Sequence, residues 1–78
     1  MSKYDKLIKK LLESPTSLRY SEIEKILIHF KFQKKQAKGS HVKFKHIEIN
    51  DIIIPVHKND CKDVYKKYVK NIIKINFI

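Results

Sequence analysis

Apolar residues recur along this chain first at helical spacing, then at alternate positions, then at helical spacing again. Tyr4, Leu7, Ile8, Leu11 and Leu12 form one helical stripe, with Lys3, Lys6, Lys9 and Lys10 elsewhere on the same surface. Ser14-Pro15-Thr16-Ser17 ends that helix. A second helix is predicted from the capping-box pair Ser21 and Glu24, with Ile23, Ile26, Leu27 and Phe30 as its core stripe and a stop near His29 to Lys31. From Phe32 the period changes to two. Phe32 to Lys38 reads as a polar first strand, and in the second Val42 and Phe44 point one way while His41, Lys43 and Lys45 point the other. After a turn around Ile47 to Asp51, the run from Ile52 to His57 makes a third strand. Pro55, which lacks an N–H, requires that this strand be an edge or end there.

A third helix is expected to open near Asn59 or Asp60 as N-cap, with Asp63 in its first turn. Val64, Tyr65, Tyr68, Val69, Ile72 and Ile73 would bury one face, Lys62, Lys66, Lys67, Lys70 and Lys74 would face water, and Asn76 would supply a left-handed C-cap. Short connections between strands imply an antiparallel meander. The predicted fold is therefore α+β in the order α-α-β-β-β-α, a small three-stranded antiparallel sheet with its helices packed on one face and the other face open. Seventy-eight residues make a single domain, 1–78, with no internal repeat or linker.

Composition narrows the class. The 42% hydrophobic and 33% charged fractions are those of a globular domain that folds unaided, although a chain this short buries only about 60% of the surface its unfolded form exposes. The lone cysteine, Cys61, has no internal disulfide partner, and no long apolar run follows Met1, so neither secretion nor membrane insertion is signalled and the cytoplasm is expected. The net charge of +10 predicts attraction to polyanions. All but one of the 18 cations are lysine, the exception being Arg19. Lysine suits phosphate contacts, whereas bidentate reading of bases favours arginine, so binding should be dominated by the backbone and weak in sequence discrimination.

The only glycine, Gly39, stands directly before Ser40 and His41 in Ala37-Lys38-Gly39-Ser40-His41-Val42-Lys43-Phe44-Lys45-His46, which reads as a turn launching a lysine-studded strand. Glycine serves where the backbone needs positive φ or close approach to a ligand, and histidine is the side chain whose ordinary pKa suits proton transfer near neutrality. Cleaving RNA through its own 2′-hydroxyl needs a base for that proton, cations for the charge that builds on phosphorus and an acid for the departing oxygen; no metal or other cofactor is obligatory. His41 is the candidate catalytic base. Lys38, Gly39, Ser40, Lys43 and Lys45 are the candidate RNA-binding residues. The competing reading is that His41 is a solvated strand residue in a noncatalytic RNA-binding module. His46 reads as a turn residue, and His57 either contacts RNA or caps the strand, the cap being favoured; His29, near a helix C-terminus, complements the dipole. The four histidines and Cys61 lack metal-ligand spacing, so no metal site is expected.

Gly39-Ser40-His41, then Phe44-Lys45-His46, then Ile54-Pro55-Val56-His57 ahead of a terminal helix resemble the HicA family of bacterial toxins, small mRNA interferases with a double-stranded-RNA-binding-like α-β-β-β-α fold. The resemblance covers residues 21–78. It implies an endoribonuclease that cleaves mRNA with one catalytic histidine, matched by His41, and that is neutralised by a HicB-like antitoxin. Residues 1–14 form an additional N-terminal helix outside the minimal family pattern. A third reading is a catalytically silent domain that only binds an antitoxin.

Overall fold

A computed structural model describes residues 3–78; Met1 and Ser2, which the sequence placed at the head of the first helix, lie outside the described residues. Helix α1 spans Lys3–Glu13 and α2 spans Tyr20–His29, with a single 3₁₀ turn at Pro15–Ser17 between them. The strands are β1 (Gln33–Gln36), β2 (His41–Lys45) and β3 (Ile52–Pro55), and helix α3 (Asp63–Phe77) closes the chain. The sheet is antiparallel throughout in the order β1-β2-β3, so β3 is the edge that Pro55 required. This is the expected α+β fold in the order α-α-β-β-β-α, and the double-stranded-RNA-binding-like description fits it.

The core is where the stripes meet. Leu11, Leu18, Ile23, Ile26, Leu27, Phe44, Ile52, Ile54, Val69 and Ile73 are fully buried, and Tyr20, Phe32 and Val42 nearly so. Alternation puts Val42 and Phe44 of β2 and Ile52 and Ile54 of β3 on the helix side of the sheet. All four side chains of β1 are exposed. Lys34, on the inner side of β1, reaches across to Glu24 of α2 at 2.7 Å, which places a cation where a core residue would otherwise stand.

Helix ends depart from the expected chemistry. Helix α2 begins two residues before Glu22, not after Ser21, and it is Glu22 Oε1 that accepts the Arg19 N–H at 3.0 Å. Glu24 instead accepts the Tyr20 hydroxyl at 3.1 Å and pairs with Lys34. Burial, reinforced by the Glu24 charge, pushes the Tyr20 hydroxyl far above its ordinary pKa, so it stays a hydrogen-bond donor. At the other end of α2, Lys31 adopts φ +75°, its N–H bonds to the Ile28 carbonyl at 3.0 Å, and the Phe32 N–H bonds to the Leu27 carbonyl at 3.0 Å. That pair of bonds is a Schellman cap with lysine at the position glycine usually fills.

Helix α3 starts at Asp63 after Lys62, two or three residues later than Asp60 or Asn59 as N-cap would have set it. Its phase also differs. Lys66, Val69 and Ile73 are the buried residues, Tyr65, Ile72 and Phe77 pack partly against the core, and Val64 and Tyr68 are exposed. Lys66 therefore does not belong to the solvated lysine face: its stem fills the seam and its ammonium meets Asp60 at 3.3 Å. Asn76 is not a left-handed cap, because α3 runs through it and its Nδ2 donates to the Ile72 carbonyl at 2.8 Å.

Candidate nucleic-acid interface

The β1–β2 hairpin turns at Lys38-Gly39-Ser40-His41, closed by a His41 N–H to Lys38 carbonyl bond of 3.3 Å. Gly39 holds φ +67° at the first central position, where both hairpin turns compatible with strand twist demand a positive value. Among the described residues a Cβ there would meet nothing within 4 Å, so glycine is needed for its backbone freedom. The Gln36 side-chain amide braces the turn at 3.4 Å from each of the Gly39 and His41 carbonyls. On the other side the Ser40 carbonyl accepts the Val56 N–H at 2.9 Å, tying the turn to β3.

Register is symmetric about Gly39: Gln36 opposes Val42, Lys35 opposes Lys43 and Gln33 opposes Lys45. Because Val42 and Phe44 are buried, His41, Lys43 and Lys45 stand on the outer face, with Gln33 and Lys35 beside them from β1 and Ile53 and Pro55 from β3. His41 is exposed at the top of that row. Lys43 is two residues along, roughly 7 Å by strand rise, and Lys45 four along at roughly 13 Å. Lys43 Nζ also lies 4.0 Å from Asp51 Oδ2 on the β2–β3 connection. Lys38 is exposed in the turn.

Lys35 enters this face although alternation along β2 could not reveal it. The signal was available in the single glycine: counting outward from Gly39 pairs Lys35 with Lys43. At the far end of β2 a groove of about 410 Å³ is lined by Lys31, Gln33, Lys35, Lys45, His46 and Ile47. Lysines from the α2 cap, β1 and β2 thus continue the basic track away from His41.

Of the other histidines, His46 and His29 have rings engaged structurally. His46 Nδ1 accepts the Glu48 N–H at 3.0 Å, and its ring packs on Phe32 and Phe77 at 4.8 and 5.6 Å. His29 stacks on Tyr4 at 4.4 Å. His57 is exposed and pairs through its backbone with Asp60, at 2.8 and 3.0 Å. Among the described residues no group of three or more histidine, cysteine or acidic side chains is placed to hold a metal ion, and no helix is long and apolar enough to cross a membrane.

No curated protein and no solved structure matches the chain. A family match does exist, to the family described as HicA toxin of bacterial toxin-antitoxin, over residues 20–76. Those bounds take in α2, the whole sheet and nearly all of α3, and they leave α1 outside. The open lysine-bearing sheet face, the Gly39 turn and the exposed His41 all fall within the matched segment, and the chain belongs to the HicA toxin family.

Proposed function

We propose that this toxin is a metal-independent endoribonuclease that cuts mRNA in the cytoplasm, with His41 as its catalytic residue. The observation that carries the reading is the exposed imidazole at the head of β2, beside a glycine-shaped turn and on a sheet face that no helix of the described residues covers, with Lys38 and Lys43 around it. His41 takes the proton from a ribose 2′-hydroxyl, the 2′ oxygen bonds to the adjacent phosphorus, and the bond from phosphorus to the 5′ oxygen breaks. The departing oxygen recovers a proton from the imidazolium, leaving a 2′,3′-cyclic phosphate and a 5′-hydroxyl. Lys43 and Lys38 stabilise the charge that builds on the phosphoryl oxygens, while Lys45, Lys35 and Lys31 hold the flanking backbone. One acid–base group contributes about 10²–10⁴-fold, so the enzyme is slow. A HicB-like antitoxin with an acidic contact surface neutralises the toxin by covering this face.

The test is induced expression of wild type and His41→Ala, followed by RNA decay and end analysis. Wild type arrests growth and yields cyclic-phosphate ends in the presence of EDTA, and DNA is left uncut. His41→Ala does neither while melting like wild type, because an exposed strand residue contributes little to stability. Cleavage by the variant at a near wild-type rate removes His41 from the mechanism; 5′-phosphate ends remove the mechanism itself.

A further inference from the structure

On the side of His41 away from the lysine row, the sheet edge opens into a groove of about 290 Å³ lined by Pro55, His57, Asp60, Cys61, Lys62 and Tyr65. Pro55 is the cross-strand partner of His41, so the groove begins one strand spacing, about 5 Å, from the histidine. Its character differs from that of the lysine groove at the other end of β2. There three lysines line a surface suited to backbone phosphates; here the Pro55 and Tyr65 rings supply apolar lining, and His57, Asp60, Cys61 and Lys62 supply the polar groups. A small concave site with apolar walls and a few polar groups is the form taken by pockets for flat organic ligands.

His57 is carried on a tight turn. Lys58 and Asn59, neither of them glycine, hold φ +53° and +64° between the paired residues His57 and Asp60. Those two positive values, with both backbone bonds made between His57 and Asp60, are the geometry of a tight type I′ hairpin turn. Asp60 anchors that turn. Its Oδ1 accepts the Tyr20 and Cys61 N–H groups at 3.1 and 2.8 Å and meets Lys66 at 3.3 Å, so the turn that carries His57 is bolted to α2 and α3.

We propose that this groove is a nucleobase subsite, which holds the base of the nucleotide next to the scissile phosphate against the Tyr65 ring, with His57 and Lys62 at its polar edge. The inference rests on the ribonuclease reading and adds to it a source of cleavage preference. A lysine-rich face tracks phosphates without regard to sequence, whereas a walled pocket beside the reacting phosphate distinguishes a purine from a pyrimidine by size and edge chemistry.

Cys61 makes the proposal directly testable, because it is the chain's one cysteine and it lies half-buried in the groove. The probes are short 2′-O-methyl oligoribonucleotides, which lack the attacking hydroxyl, each carrying one defined base or an abasic site at the central position. Methyl methanethiosulfonate labelling of Cys61 is timed at saturating probe. The preferred base should slow labelling by about tenfold, and the abasic probe of the same length should not, since stacking of one base is worth roughly that factor or more. In parallel, His57→Ala, an exposed change checked by melting, should lower kcat/KM for the preferred substrate and flatten the ranking among substrates that differ only in the flanking base. Equal labelling with base-bearing and abasic probes, or an unchanged ranking in His57→Ala, overturns the subsite even if RNA is cut. If wild type cuts no RNA the ribonuclease reading fails by its own test, while the labelling still decides whether the groove binds a base.

Discussion

The Lys66 ammonium lies 3.3 Å from Oδ1 of Asp60, and the two partners sit in different surroundings: the lysine side chain is 5% exposed and the aspartate 53%. The pair joins a cation that the core has nearly enclosed to a carboxylate that water still reaches. The same oxygen accepts the first N–H of α2, from Tyr20, and the N–H of Cys61. One carboxylate therefore organises the meeting of α2, the β3–α3 connection and α3.

Removing the two partners should have unequal effects. Asp60→Ala leaves a buried ammonium and two N–H groups without their acceptor, and should destabilise the fold by about 1–3 kcal/mol, water at the exposed side limiting the loss. Lys66→Met keeps the stem in the seam and removes the charge, so it should be neutral or mildly stabilising. Urea unfolding of both single variants and the double variant measures this. Equal losses for Asp60→Ala and Lys66→Met would show that the ion pair, and not the desolvated lysine, sets the cost.

The pH dependence follows from the same oxygen. The Cys61 N–H above all, with the Lys66 ammonium and the Tyr20 N–H, holds the Asp60 carboxyl below its ordinary pKa. A carboxyl whose folded pKa is lowered contributes stability that is complete above its unfolded value, about pH 4, and is lost as the pH falls below that through the folded value. Wild type should therefore lose stability on acidification more steeply than Asp60→Asn below about pH 4, and the two should run parallel above about pH 5. Unfolding free energies measured across that range check it.

Lys31→Gly should stabilise the domain by about 0.5–1 kcal/mol, because lysine occupies the left-handed position that closes α2. Lys31 also lines the basic groove, so the gain should come with weaker RNA binding. Thermal melting and a binding titration read the two effects separately. A lower melting temperature would mean that the lysine stem packs usefully against the cap.

Gly39→Val should destabilise by about 1–2 kcal/mol, about 4–8 °C in melting temperature per kcal/mol, because a β-branched residue is forced to φ +67° with no clash to blame. Gly39→Asn, which tolerates that region, should recover most of the stability and of the cleavage. Equal melting temperatures for the three proteins would remove the conformational argument.

Single-turnover cleavage at saturating RNA should separate chemistry from affinity among the lysines. Lys43→Gln should slow the cut by about tenfold or more, since a cation near the reacting phosphate acts on charge that develops in the transition state. Lys67→Gln, exposed on α3, should leave that rate intact and at most weaken binding, lowering the slope of log K against log salt by about 0.7 per lost contact. Asp51→Asn should tighten RNA binding by freeing Lys43 from its neighbour at 4.0 Å. Equal rates for the Lys43 and Lys67 variants would show that Lys43 only binds.

What the sequence disclosed followed from local periodicity. β2 was legible because Val42 and Phe44 alternate with His41, Lys43 and Lys45, and the hairpin was legible because a single glycine marked its turn. The phase of α3 was not, because two adjacent apolar rows run along it and the row that is buried starts with Lys66, a residue whose charge argues for water. Nothing local announces that Asp60, forty residues on, will bond to Tyr20 and help place the start of α2. The outer row from His41 to Lys45 could likewise be read along one strand. Lys35 needed the register, and the Pro55–Tyr65 groove needed the packing of β3, a left-handed turn and the head of α3.

The symmetric pairing about Gly39 also limits how the hairpin can vary. Shifting β2 by one residue in its register would turn Val42 and Phe44 toward water and His41, Lys43 and Lys45 toward the buried core, a change the core could not absorb. Display of the imidazole and closure of the core are thus two results of a single alignment. Sequence drift that shifts this strand should abolish folding before it yields a stable protein with a displaced histidine, so surviving variants of the hairpin should change its lysines and spare its length.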